Sequence, residues 1–187
     1  LRHIRIAFVT GPLHLKSALA RRDAFKASMT EIGLPSDLIV VGDHRMEGGM
    51  QALLELNRLP ERPTAVLCSN DMTAIGVMRE AYDHNIKIPE DLSVVGFDDI
   101  RLAEFTIPPL TTVQMSQHEL AKIAFQALLN EVESSHERRK YELTTSLVLR
   151  RSTSLARPGT SEPVPLKRGR PGGSRKGGVP ISSGLSS

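Results

Sequence analysis

At 187 residues, with 40% hydrophobic, 24% charged and 4% aromatic residues, the chain has the composition of a soluble globular protein with room for one ordinary domain and a tail. No apolar run approaches the ~20 residues needed to span a bilayer, and a single cysteine, Cys68, excludes an intramolecular disulfide and points to a reducing compartment. The net charge of +3 is uneven, because residues 157–187 carry six Lys and Arg residues against Glu162 alone. The high isoelectric point therefore belongs to the tail, and the first 156 residues are net acidic.

The chain starts at Leu1 and runs at once into the strand-like segment 3–9, without an initiator Met or a leader. That start reads as a truncated front, so the absence of a signal peptide carries little weight and the cytoplasm is the expected location. β-rich apolar runs at 3–9, 38–42, 64–68, 93–97 and 110–113 alternate with helical patterns. This alternation predicts an α/β fold, a parallel sheet flanked by helices.

The first helix is expected over 17–32, with Phe25, Met29 and Ile32 on one face and Gly33 and Pro35 ending it. A second, over 46–57, places Met50, Leu53, Leu54 and Asn57 together. The third starts at Asn70, a capping residue, and turns Ala74, Val77, Met78 and Ala81 toward the sheet before Asn85 and Pro89. The fourth opens on the capping box Ser116-Gln117-His118-Glu119 and continues with Leu120, Ile123, Ala127, Leu128 and Val132 at helical spacing. Residues 143–149 read as a last strand. From about Arg157 the composition turns to Gly, Pro, Ser and basic residues, a disordered tail. The expected division is an effector-binding domain over 1–156 and the tail over 157–187.

In a doubly wound sheet, ligands sit where loops leave the carboxyl ends of strands. Here those loops are Thr10–Lys16, Gly42–Arg45, Ser69–Asp71 and Phe97–Asp99. They offer hydrogen-bonding groups but no nucleophile with a base, so no catalytic residue is expected. Arg21, one turn into the first helix, could grip two vicinal oxygens, Asp98 could accept from hydroxyls, and Asn70 could do both. That set suits a sugar or another polyhydroxylated molecule.

Plainer readings stand beside these. Asn70 and Asp71 could simply cap a helix, and Asp98-Asp99 could be an ordinary acidic turn whose two side chains point apart. His14, His44, His84 and His118 fall on separate elements without metal-ligand spacing, so no metal is expected. Cys68 ends an apolar strand as a buried thiol. Gly48-Gly49 lacks the frame of a phosphate-binding loop, and no cofactor is expected.

Three segments in order carry a resemblance: Arg62-Pro63-Thr64-Ala65-Val66-Leu67-Cys68-Ser69-Asn70-Asp71-Met72-Thr73-Ala74, Ile88-Pro89-Glu90-Asp91-Leu92-Ser93-Val94-Val95-Gly96-Phe97-Asp98-Asp99, and Pro108-Pro109-Leu110-Thr111-Thr112-Val113. Together with Gly11-Pro12, Arg21 and Arg150-Arg151-Ser152-Thr153, they resemble the sensor domain of lac/gal repressor-type transcription regulators over roughly residues 3–154. The resemblance implies a periplasmic-binding-protein-like fold of two α/β subdomains with the effector between them. This chain would hold mainly the second subdomain, plus one helix, 116–133, that belongs to the first. It further implies effector contacts at Arg21, Asn70 and Asp98, with Ser17 on the same helix and His44 in place of an aromatic lid residue. Leu15 stands where purine-sensing members carry a polar contact, which favours a sugar over a purine. The implied whole protein is a homodimer that binds operator DNA through a helix-turn-helix headpiece in front of Leu1, with no membrane partner.

Two other readings remain open. A periplasmic sugar-binding protein of a transport system shares the fold and the Asn-Asp and Gly-Phe-Asp segments, though Pro89-Glu90-Asp91-Leu92-Ser93 and Pro109-Leu110-Thr111-Thr112 favour the regulator. In the tail, Lys167-Arg168-Gly169-Arg170-Pro171 resembles an AT-hook core, in which Arg168 and Arg170 would enter an A·T minor groove. A basic solubilising tail is the simpler reading of the same residues.

Overall fold

The computed structural model describes residues 1–133 and 141–157. Within them the chain alternates strand and helix: β1 (Ile6–Thr10), α1 (Lys16–Glu31), β2 (Ile39–Val41), α2 (Met46–Leu56), β3 (Ala65–Cys68), α3 (Asp71–Asp83), β4 (Ser93–Asp98), a 3₁₀ turn (Arg101–Glu104), β5 (Thr111–Met115), α4 (Gln117–Glu133) and β6 (Thr145–Val148). The tail residues Arg168 and Arg170 lie outside the described residues.

The described strands form one sheet in the order β2-β1-β3-β4-β5-β6. The first five are parallel, with Val9 beside both Val40 and Cys68, and Val66 beside Val94. β6 departs from the expected parallel pattern and runs antiparallel to β5, Val148 opposite Thr112. β1 lies between β2 and β3, so the chain leaves it in one direction and resumes on its other side. The crevice at the carboxyl ends of β1 and β3 is the switch point where such sheets bind ligands.

The two faces of the sheet are covered differently. On one, α2 and α3 bury Leu53, Leu56, Val77 and Ala81 against Val9, Val66, Val94 and Leu110. On the other, α1 packs, with Phe25 and Met29 against Phe8, and the Phe8 and Phe25 rings stack 5.2 Å apart. Beside α1 an apolar groove of about 510 Å³ is left open over Leu67, Val95, Phe97 and Val113.

Three expectations are corrected. The first strand begins at Ile6, because His3 instead bonds Thr64 Oγ1 at 2.9 Å and the Ser154 carbonyl at 3.0 Å. Ile32 is 64% exposed, since α1 ends at Glu31 and the chain turns away at Gly33, which has a positive φ. α2 buries Ala52, Leu53 and Leu56 while Met50 and Leu54 are only half-buried, a small rotation of the apolar face imposed by its crossing with α3. The third helix turns inward the four residues expected of it. Ser116 Oγ accepts from the Glu119 amide at 3.2 Å, the expected cap of α4. Along α4, Leu120, Phe125, Leu128 and Leu129 are exposed.

Candidate functional site

The site assembles from four strand ends and the first turns of α1. At the end of β2, Asp43 Oδ1 accepts from the Arg45 amide at 2.9 Å, a local turn that holds His44 in the left-handed region at φ 66°. The His44 ring lies against the Cα of Gly11, where any Cβ would collide with it. A side chain at position 11 would displace the His44 ring from its place at the end of β1.

Asn70 closes the end of β3 with both halves of its amide. Its Oδ1 accepts from the Thr73 amide at 2.9 Å, capping α3, and its Nδ2 donates to the His44 carbonyl at 3.0 Å. The capping reading of this residue is realised, and its amide nitrogen is engaged by a backbone carbonyl of the neighbouring loop. Asp71 is not a surface cap. It is fully buried, accepting from the Ile100 amide at 2.8 Å and from Thr112 Oγ1 at 2.5 Å. Gly96 makes room for that carboxylate, because a Cβ there would collide with Asp71 Oδ1. Burial pushes the Asp71 carboxyl above the usual carboxylate range, against the two hydrogen bonds, which pull it down.

Arg21 reaches the same crevice from α1. Its Nη1 donates to the Ser69 carbonyl at 2.7 Å, its Nη2 lies 3.9 Å from Asp98 Oδ1, and its plane covers the Phe97 ring at 3.9 Å. Asp98 and Asp99 have φ of 115° and 53°, two adjacent non-glycine residues in a costly backbone region, the kind of strain that collects at binding sites. Their side chains part: Asp98 faces Arg21, while Asp99 is held by Arg150 and Gln114. Burial raises the Asp98 carboxyl above its ordinary value, opposed by Arg21 and His44. Burial, with the neighbouring Arg21, lowers His44.

Arg21, Asp98, His44 and Asn70 are thus brought together. Ser17 is exposed on the first turn of α1, four residues before Arg21 and on the same helix face. Leu15, the N-cap of α1, supplies no side-chain cap. On the other side of Asp98 a hollow of about 460 Å³ opens, lined by Asp99, Arg101, Gln114, Met115, Gln117 and His118 and not by Arg21, His44 or Asn70. Sequence reasoning missed Phe97 as the platform under Arg21 and the carbonyls of His44 and Ser69 as acceptors. No local signal marks a backbone carbonyl as an acceptor.

Cys68 is buried and its thiol pushed far up by desolvation. Among the described residues, no cluster of His, Cys, Asp and Glu could hold a metal ion, and no helix is long and apolar enough to cross a membrane.

Residues 1–153 match the family model for a periplasmic binding protein-like domain. Over 153 residues the chain is 37% identical to the ribose operon repressor of Escherichia coli strain K12, covering 80% of this chain and 46% of that protein. It is 36% identical over 151 residues to the HTH-type transcriptional repressor PurR of Vibrio atlanticus strain LGP32, covering 79% and 45% respectively. Among solved structures it is similar to the lac repressor dimer bound to operator and the anti-inducer ONPF, with a TM-score of 0.78, 31% identity, and coverage of 82% of this chain and 54% of that one. The chain spans about half the length of the curated relatives it matches.

Proposed function

The chain belongs to the periplasmic binding protein-like effector domains of lac/gal repressor-type transcription regulators, and from that membership we propose that it binds a small polyhydroxylated effector, a sugar or sugar derivative, in the crevice between Arg21 and Asp98. The observation that carries this reading is the pairing of a guanidinium with a carboxylate across 3.9 Å, neither fully buried, one strand from the switch point of the sheet. That gap is too long for a strong hydrogen bond. A ligand with vicinal hydroxyls would bridge it, accepting from Arg21 and donating to Asp98.

In this reading His44 and Asn70 close the crevice from the β2 and β3 ends, and Ser17 adds a hydroxyl on the α1 side. Leu15 beside Ser17 removes a polar contact, which favours a sugar over a purine. The crevice is read as a binding site rather than a catalytic one, in keeping with relatives that are repressors. The matched relatives are repressors, which favours a cytoplasmic regulator over a transport protein. In the whole protein, a homodimer, operator contact falls to a helix-turn-helix headpiece outside these 187 residues, and the effector shifts the population of its DNA-binding form.

Calorimetric titration of D-ribose, D-galactose, D-glucose and cellobiose into the wild type, Arg21→Ala and Asp98→Ala tests the site. An unpaired buried partner typically costs about 1–3 kcal/mol, or ~5- to 150-fold in affinity. A sugar that binds the wild type and loses less than about fivefold in both variants would place the site elsewhere.

A further inference from the structure

Asp98 does not hold its place unaided. Its backbone and that of Asp99 both sit at positive φ, a pair that relaxes unless neighbours over-determine it. Arg150 and Gln114 are those neighbours. Asp99 Oδ1 accepts from Arg150 Nη2 at 2.7 Å, and Asp99 Oδ2 accepts from Gln114 Nε2 at 2.8 Å. Arg150 is further tied through Nη1 to the Leu110 carbonyl at 2.9 Å, and its backbone amide donates to Thr111 Oγ1 at 3.0 Å. Glu104 lies 3.5 Å from the same guanidinium nitrogen. The Asp99 and Arg150 side chains are only 10% and 13% exposed, so the pair is screened little by solvent, and removing either member strands a charge.

The partners have a common address. Gln114 is on β5, the strand that leads into α4, and Arg150 follows β6, the strand that comes after α4 in the chain. One turn of two residues therefore has its first carboxylate facing Arg21 and its second fastened to β5, which leads into α4, and to Arg150, two residues past β6.

We propose that Asp99 and Arg150 are positioning residues, a clamp that sets Asp98 toward Arg21 and through which occupancy of the crevice is passed to β5 and the start of α4. The inference rests on the effector reading above for its second half alone. The clamp itself requires no ligand. The physical logic is that a packed turn with two strained residues has few alternative arrangements, so a pull on Asp98 is shared by the groups that hold Asp99.

The test is amide hydrogen exchange on the full 187-residue chain, followed residue by residue, for the wild type, Arg150→Gln, Asp99→Asn, the double variant and Arg150→Lys. Arg150→Gln and Asp99→Asn should each speed exchange at Asp99–Arg101 and Gln114–Met115 by about tenfold or more while Val66–Cys68 in β3 stays unchanged. The double variant should be no worse than the worse single one, as expected for two halves of one device. Arg150→Lys, which keeps the charge without the fork, should recover part of the protection. Exchange at the turn within twofold of wild type in Arg150→Gln, or equal loosening of β3, would overturn the clamp. A ligand arm tests the relay: a sugar from the panel above should protect Gln117–Leu120 in the wild type, and that protection should vanish in Arg150→Gln at saturating sugar. Persistence of that protection would overturn the relay. If none of the four sugars binds, the effector reading loses its support while the exchange data still decide the clamp.

Discussion

The guanidinium of Arg21 lies over the ring of Phe97, 3.9 Å from its centroid, and Phe97 immediately precedes Asp98, the carboxylate that the same guanidinium faces. One strand end thus presents both a π face and an anion to one cation. The Ser69 carbonyl fixes the third side, so the protein's own groups direct Arg21 from three sides.

That arrangement is expected to be measurable without a ligand. A cation–π contact is worth roughly 0.5–2 kcal/mol depending on desolvation. A double-mutant cycle of Phe97→Leu and Arg21→Met in urea unfolding should show a coupling of that size. A coupling of zero would mean the two side chains merely sit side by side.

Asn70 serves α3 and the crevice through different atoms, so two substitutions separate the roles. Asn70→Ala should lower stability by about 0.5–2 kcal/mol through loss of the cap. Asn70→Asp keeps the capping oxygen and loses the donor to the His44 carbonyl. It should therefore retain most of the stability, seen in thermal unfolding, and change the environment of His44, seen in its imidazole NMR signals.

Asp71 supplies a pH dependence whose sign follows from its raised carboxyl. Between the ordinary value of 3.8 and the higher folded value, the folded state holds more protons than the unfolded one. Raising the pH through that window therefore lowers stability. Asp71→Asn keeps an acceptor for the Ile100 amide, turns an amide donor toward the Thr112 hydroxyl in place of the oxygen that accepts from it, and should abolish this share of the decline. Asp71→Ala leaves both groups buried without a partner and should cost about 1–3 kcal/mol at neutral pH. Chemical denaturation of the three proteins from pH 4 to pH 8 is the measurement.

His44 acts in the opposite sense. Its folded value is lowered from 6.5, so as the pH falls through 6.5 the unfolded chain takes up the proton first and stability drops. His3 is lowered by burial as well and contributes in the same window. His44→Gln should remove part of the slope between pH 7 and 5, and His3→Gln the remainder. A slope unchanged by both substitutions would contradict the burial of the two rings.

The apolar face of α4 should make the chain associate. Leu120, Phe125, Leu128 and Leu129 are exposed along it, and such a stripe attracts a second surface or a hydrophobic dye. Sedimentation of the wild type against Phe125→Asp combined with Leu128→Asp should show less association and weaker dye binding in the variant. A dye-silent, monomeric wild type would contradict the exposure.

The sequence by itself determined the order and kind of nearly all the elements, because the signals are local. Runs such as Ala65–Cys68 and Ser93–Asp98 are apolar enough to be buried on both faces, Asn70 and Ser116 are caps legible within three residues, and the four inward residues of α3 follow a helical period. Arg21, Asn70 and Asp98 could be singled out because strand ends are where such sheets bind. Only the tertiary structure decided the direction of β6, the open groove beside α1, the stacking of Arg21 on Phe97 and the burial of Asp71. The bond from Asp99 to Arg150 joins residues 51 positions apart. Whether two adjacent aspartates share a ligand or part to different cations depends on which strands flank them. Strand order comes from how the whole sheet packs, and no local stretch of sequence carries it.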